Sequence, residues 1–285
     1  MDSGKTILNI IVRQEVRKLP VTVNVVAFFM IGDMKIHFLG TGTSTGIPQI
    51  GCHCEVCRSS DSHDKRLRTS VSIEVDDKLI LIDCTPDFRQ QVLPLSFRKI
   101  DALLFTHEHY DHMGGIDDLR PYAVFGTVDL YMEKRLDMGL RIKMPYCFSE
   151  NKYGGVPDIR VKQINEDDSF YIGHLEVIPI RVMHYQLPIL GFRLNDFAYL
   201  TDVKTIPERA FEKLSGVKVL VISALRKTEH ISHLSLDQAL SIANRIKPET
   251  IWLTHMSHEM GLHAEVDREL PPNVHLAYDG LELSI

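Results

Sequence analysis

Residues 106–112 read Thr-His-Glu-His-Tyr-Asp-His and directly follow the apolar run 102–105. Three imidazoles and the Asp111 carboxylate crowded into so short a stretch make a concentrated set of metal-binding groups. His107 and His109 are two apart, so in an extended segment they point the same way and can share one ion. Asp111 and His112 are adjacent, diverge from that pair and can reach a second ion nearby. Two ions suit hydrolysis, because a water shared between them loses a proton near neutral pH and the same charges stabilise the oxyanion formed on attack. Mixed imidazole and carboxylate donors accept Zn²⁺, Mn²⁺ or Fe and do not choose among them.

Groups of the same kind terminate other short apolar runs. The run 79–82 ends at Asp83, 180–183 at His184, 197–200 leads through Thr201 to Asp202, and 251–253 through Thr254 to His255. Buried strands that all deliver polar groups at their C-terminal ends predict an α/β fold in which one sheet edge forms a common site. Helices fit between them at 87–95, 133–141, 207–214 and 235–246, the last with Ser235 as N-cap and Gln238 as its capping-box partner. Gly40-Thr-Gly-Thr-Ser-Thr-Gly46 lacks the Gly-Lys-Ser/Thr ending of a nucleotide-binding loop. It is expected to be a tight turn that lets backbone approach the metal site.

Three cysteines, Cys52, Cys54 and Cys57, supply three of the four donors of a tetrahedral zinc site. His258, three residues after His255, is the preferred fourth, with His53 as the alternative and a redox pair of Cys54 and Cys57 as the rival reading. A closed site of this kind would be structural, tying an early loop to the last strand. Cys84 and Cys147 read as small buried hydrophobes.

A chain of 285 residues with 44% apolar content can bury one full core, so 34–285 is expected to be a single catalytic domain and 1–33 an extension. Within that extension, 21–31 is apolar but too short to span a bilayer, and no small-x-small cleavage site follows. Met30 or Met34 is a candidate start, and a chain beginning at Met34 is expected to fold and work. The formal charge of −6 is unlike that of proteins that hold long nucleic acid. The cysteine cluster suits a reducing cytoplasm better than a secreted disulfide framework.

The order His-x-His-x-Asp-His after a strand resembles the metallo-β-lactamase superfamily, which implies an αββα sandwich of two mixed sheets flanked by helices. By that resemblance His107, His109 and His184 hold one ion, Asp111, His112 and His255 the other, and Asp202 bridges them. Asp83 orients ligands through hydrogen bonds. The glycine-rich start, the cysteine cluster, the late His-x₂-His and the closing Tyr278-Asp-Gly-Leu-Glu resemble, over 35–285, the phosphoribosyl 1,2-cyclic phosphate phosphodiesterases of the carbon-phosphorus lyase pathway. That resemblance implies hydrolysis of a small cyclic phosphodiester, two divalent active-site ions and a separate structural zinc. It also implies a proton donor, for which His233 matches best and His230 competes; an imidazole near its ordinary pKa would serve a leaving alkoxide. Arg226 and Lys227 read as a solvated surface pair. The competing classes are a tRNA 3′-processing endonuclease and a non-hydrolytic binding protein related to the pyrroloquinoline-quinone biosynthesis protein. A homodimer is compatible with all three.

Overall fold

The apolar runs become strands because β-branched and leucine residues alternate between two packed faces. The computed structural model describes residues 33–150 and 154–285; the apolar run 21–31 lies outside them. Among the described residues, fourteen strands form two seven-stranded sheets. The first holds β1 (Lys35–Gly40), β2 (Ser70–Val75), β3 (Lys78–Ile82), β4 (Ala102–Leu104), β5 (Val128–Met132), β6 (Ile159–Gln163) and β14 (Glu282–Ser284), in the order β14-β1-β2-β3-β4-β5-β6. The second holds β7 (Phe170–Ile172), β8 (Leu175–His184), β9 (Leu187–Leu194), β10 (Phe197–Leu200), β11 (Val219–Ser223), β12 (Thr250–Thr254) and β13 (Val274–Leu276), in the order β13-β12-β11-β10-β9-β8-β7. Both sheets are mixed: β3 to β6 and β10 to β13 run parallel, and the remaining neighbours pair antiparallel.

Alternation along each strand separates three cores. Ile80, Ile82 and Leu104 face Leu190, Phe192, Tyr199 and Val221 between the sheets. On the far side of the first sheet, Leu81, Leu103 and Leu130 meet α2 (Phe88–Val92) and α4 (Lys134–Lys143) through Phe88, Leu136 and Leu140. On the far side of the second, Leu220, Ile222 and Leu253 meet α5 (Glu208–Lys213), α6 (Leu236–Ile246) and α7 (His263–Glu269) through Ala210, Ala239 and Val266. The result is the expected αββα sandwich. Two short helices, α1 (Glu55–Arg58) and α3 (Tyr110–Met113), lie in loops.

The expected capping box is present: Ser235 Oγ accepts from Gln238 N–H at 3.4 Å and the Gln238 carboxamide oxygen accepts from Ser235 N–H at 3.1 Å. α2 stops short of the predicted residue 95, since Pro94 has no N–H to continue its ladder. The glycine-rich turn corrects an expectation. A Cβ on Gly40 would lie 2.0 Å from the Arg68 carbonyl oxygen, and one on Gly42 2.9 Å from Arg66 Cβ, so its glycines admit the 66–68 segment and not the metal cluster. The turn still braces the cluster from behind, because Met256 N–H donates to Thr41 O and Thr43 N–H to Met256 O, both at 3.0 Å.

Candidate metal centres

Strands β3, β4, β8, β10 and β12 all point their C-terminal ends to one rim, and the chain must turn sharply there to aim side chains inward. Asp83, Asp202 and His255 do so with φ of 65°, 54° and 59°. Left-handed backbone costs a non-glycine residue about 1 kcal/mol or more. Asp and His tolerate it better than most non-glycine residues. Tyr185, directly after His184, has φ 54°.

Hydrogen bonds then fix which ring nitrogen faces the centre. The buried Asp83 carboxylate accepts from His112 Nδ1 at 2.7 Å, from Thr106 N–H at 2.9 Å and from Thr106 Oγ1 at 2.9 Å. Thr106 Oγ1 also lies 2.9 Å from His107 Nδ1, and Ser232 O accepts from His184 Nδ1 at 2.9 Å. These partners leave His107 Nε2 and His112 Nε2 buried with no hydrogen bond, as are both nitrogens of His255 and Nδ1 of His233. Around Asp202 Oδ2 stand His112 Nε2 at 3.0 Å and His255 Nε2 at 3.2 Å; His112 Nε2 is 3.2 Å from Asp111 Oδ2. Buried polar atoms without partners are costly, and imidazole lone pairs converging on carboxylates are what a divalent cation satisfies.

Donor atoms fall within 4.8 Å of one another in three sets: His107, His112 and Asp202; Asp111, His112 and His255; His184, Asp202 and His233. The second matches the trio expected for one ion, and Asp202 is shared as a bridging carboxylate would be. His109 belongs to none of the three sets. Its exposed ring stands 4.5 Å from that of His107 and 5.2 Å from that of His184, centre to centre, at the open rim. His233 takes a place beside His184 that the sequence had not given it, with Nδ1 3.6 Å from Asp202 Oδ1.

Electrostatics agree with a cation site. Burial opposes charge on Asp202, yet the His255 and His112 rings hold it well below the usual carboxylate range. Burial keeps His107 deprotonated, with its lone pair free. His233 departs from expectation: burial first, then His255, pushes it down to about 3, not near its ordinary value. Its competitor His230 binds its own loop, with Nδ1 3.2 Å from Ser232 Oγ.

The cysteine cluster forms with His258 and not with the exposed His53. His258 Nδ1 lies 3.2 Å from Cys54 Sγ and 3.6 Å from Cys52 Sγ, and the three sulfurs with that nitrogen are mutually within 4.8 Å. Cys57 accepts from Gln49 N–H at 3.4 Å and packs with Ile47 and Val56. Burial raises the Cys57 thiol to about 11, a cost that a bound Zn²⁺ would reverse. Four donors with no position to spare fit a closed tetrahedral site. Cys84 and Cys147 lie in the apolar core, as expected. Arg226 pairs with Glu259 at 2.5 Å and Lys227 with Glu269 at 3.4 Å on the surface. Thr106 and Ser232 escaped the sequence reading; Thr106, abutting the first histidine, could have been suspected, whereas a backbone carbonyl leaves no residue-type signal.

Residues 78–256 match the family model described as "Beta-lactamase superfamily domain". The crystal structure of "a New Diphosphatase from the PhnP Family" is similar at TM-score 0.84 and 39% identity, covering 90% of this chain and 98% of that one. An octanoyltransferase of Porphyromonas gingivalis is 45% identical over 255 residues, 88% of this chain but 52% of that protein; the chain therefore spans about half the length of that curated relative. Zn²⁺-bound PqqB from Methylobacterium extorquens has the same fold, at TM-score 0.72 and 16% identity over 88% of this chain and all of that one. No described helix is long and apolar enough to cross a membrane. The chain belongs to the PhnP family of the β-lactamase superfamily.

Proposed function

We propose that residues 34–285 form a catalytic domain that hydrolyses a small cyclic or activated phosphodiester, of the phosphoribosyl 1,2-cyclic phosphate kind, at a site for two divalent ions. His107, His109 and His184 would hold one ion, Asp111, His112 and His255 the other, with Asp202 between them. Cys52, Cys54, Cys57 and His258 would hold a structural zinc. When bound, the active-site ions supply an activated water and positive charge for the phosphoryl oxygens.

The remaining work falls to side chains. Asp83 and Thr106 keep His112 and His107 turned so that each Nε2 faces inward, and Ser232 O does the same for His184. His233 serves the leaving oxygen. Burial and the neighbouring His255 oppose charge on its ring, and the Asp202 carboxylate, 3.6 Å from Nδ1, favours it. One P–O bond forms from water and one breaks; the leaving oxygen takes the proton of His233, the attacking water yields one to solvent, and His233 regains a proton from solvent, so that one water is added in all. A formal charge of −6 favours a small diester over long nucleic acid, and the thiolate cluster favours the cytoplasm.

The observation that carries this reading is the convergence of unpartnered imidazole nitrogens on Asp202 and Asp111 in a chain 39% identical to a diphosphatase. The metal-loaded protein should turn over bis-p-nitrophenyl phosphate and 2′,3′-cyclic nucleotides. Parallel assays on a diphosphate diester, a precursor tRNA, a lactone and an octanoyl thioester test the other activities that relatives and fold suggest. Turnover of the carbonyl esters alone would overturn the proposal.

A further inference from the structure

The loop that carries His233 is held by an ammonium group that no part of the proposed chemistry uses. Lys204 lies two residues beyond Asp202, and its backbone is fastened to β8 beside His184: Lys204 N–H donates to Met183 O at 2.7 Å and Met183 N–H to Thr205 O at 2.9 Å. From there Nζ reaches His230 O at 2.6 Å, His233 O at 3.3 Å and Gln238 Oε1 at 3.2 Å. An ammonium has three donors, and all three are used. Each acceptor is neutral, so the charge is spent on holding dipoles and none of its N–H groups is left for a phosphate oxygen.

The placement of those acceptors gives the arrangement its meaning. His230 and His233 bound a four-residue loop whose Ser232 carbonyl aims His184 and whose last side chain stands 3.6 Å from Asp202. Gln238 joins this grip to α6, because the same Oε1 accepts from Ser235 N–H at 3.1 Å while Nε2 donates to Glu229 at 3.1 Å. The backbone beyond the loop is anchored as well, with Leu234 N–H donating to Val203 O at 2.8 Å. Within the loop, the remaining hydrogen bonds are short-range ones from Ser232 N–H and Oγ to His230 Nδ1. Without the ammonium, the two carbonyls at the loop ends lose the partner that ties them to the Asp202 turn.

We propose that Lys204 is a positioning residue: it clamps 230–233 so that the His233 ring stays at the leaving-group side of the site. This rests on the assignment of His233 as proton donor. It separates from a general structural role by leaving-group dependence, because p-nitrophenolate departs without a proton whereas a ribose alkoxide needs one. A residue that bound phosphate directly would instead raise KM for every substrate alike.

The test is Lys204→Met, assayed at saturating metal. On a 2′,3′-cyclic nucleotide kcat should fall by about tenfold or more, part of the hundredfold or larger contribution of general acids. On bis-p-nitrophenyl phosphate the loss should stay within about twofold. His233→Ala should show the same split, and the double variant should be no worse than His233→Ala alone. Hydrogen exchange should quicken at the amides of 226–235 and not elsewhere. Lys204→Gln, which retains two donors, should show a smaller split and serves if the methionine variant does not fold. Equal losses on both substrates, a KM effect with kcat unchanged, or unaltered exchange in 226–235 would overturn the proposal. If the wild type cleaves no diester, the phosphodiesterase reading fails by itself and the exchange measurement decides whether Lys204 clamps the loop.

Discussion

Two clusters of metal-binding side chains grow from one short segment, since His255 points into one and His258, three residues on, into the other. Their surroundings differ. The cysteine cluster has four donors and an apolar backing of Ile47, Val56 and Leu262, with no position left for a reactant. The histidine–aspartate cluster has seven expected donors, a carboxylate common to two donor sets, and an exposed His109 at its rim. Closed coordination holds structure together, and incomplete coordination leaves room for chemistry. Ligand type alone does not separate the two proposed roles, because imidazole would serve in both; completeness and access do.

That contrast can be broken at its strongest point first. Replacing His109 or Asp111 by alanine should abolish hydrolysis, a loss of roughly a thousandfold or more given the several kcal/mol that metal catalysis supplies, while elemental analysis still finds the cysteine-bound zinc. Simultaneous loss of that zinc would show that the clusters are not independent. The converse comes next. His258→Ala should remove one zinc equivalent and lower the melting temperature, with the surviving folded fraction keeping its turnover; an unchanged zinc count would remove His258 from the site.

Smaller effects sharpen the boundary between holding an ion and aiming its ligands. Asp83→Asn retains a residue type that tolerates φ 65° but weakens the grip on His112. Metal titration of activity should then show an affinity about 10- to 100-fold lower. Thr106→Val deletes the hydroxyl shared between Asp83 and His107, worth about 1 kcal/mol net, so a shift of several-fold in the same titration is expected. If Asp83→Asn leaves the affinity untouched, the Asp83 bond does not orient His112.

Much of this was legible because the information is local. His107 to His112 declare themselves by spacing, Ser235 and Gln238 by a three-residue offset, and Asp83, His184, Asp202 and His255 by following apolar runs. The pairing of Cys52, Cys54 and Cys57 with His258 could be inferred across some two hundred residues because a missing fourth donor is a chemical demand. What stayed hidden depends on contacts without such a demand. Gly40 and Gly42 admit Arg66 and Arg68, a matter of which backbones touch. The low proton affinity of His233 comes from burial against His255, which spacing does not encode. Lys204 reads as an ordinary surface lysine until three carbonyl-type oxygens are found around its tip.

The left-handed turns at Asp83, Asp202 and His255 also bear on how such a chain changes over generations. At each position a new residue is filtered twice, once by what it can bind and once by whether its backbone accepts positive φ. Asparagine and glycine pass the second filter but serve the ion less well than the residues they replace. Substitution there would therefore run toward variants that keep the sandwich and weaken the proposed metal site. A lineage following that route would retain a well-formed, chemically silent cleft, ready to be put to use in binding alone.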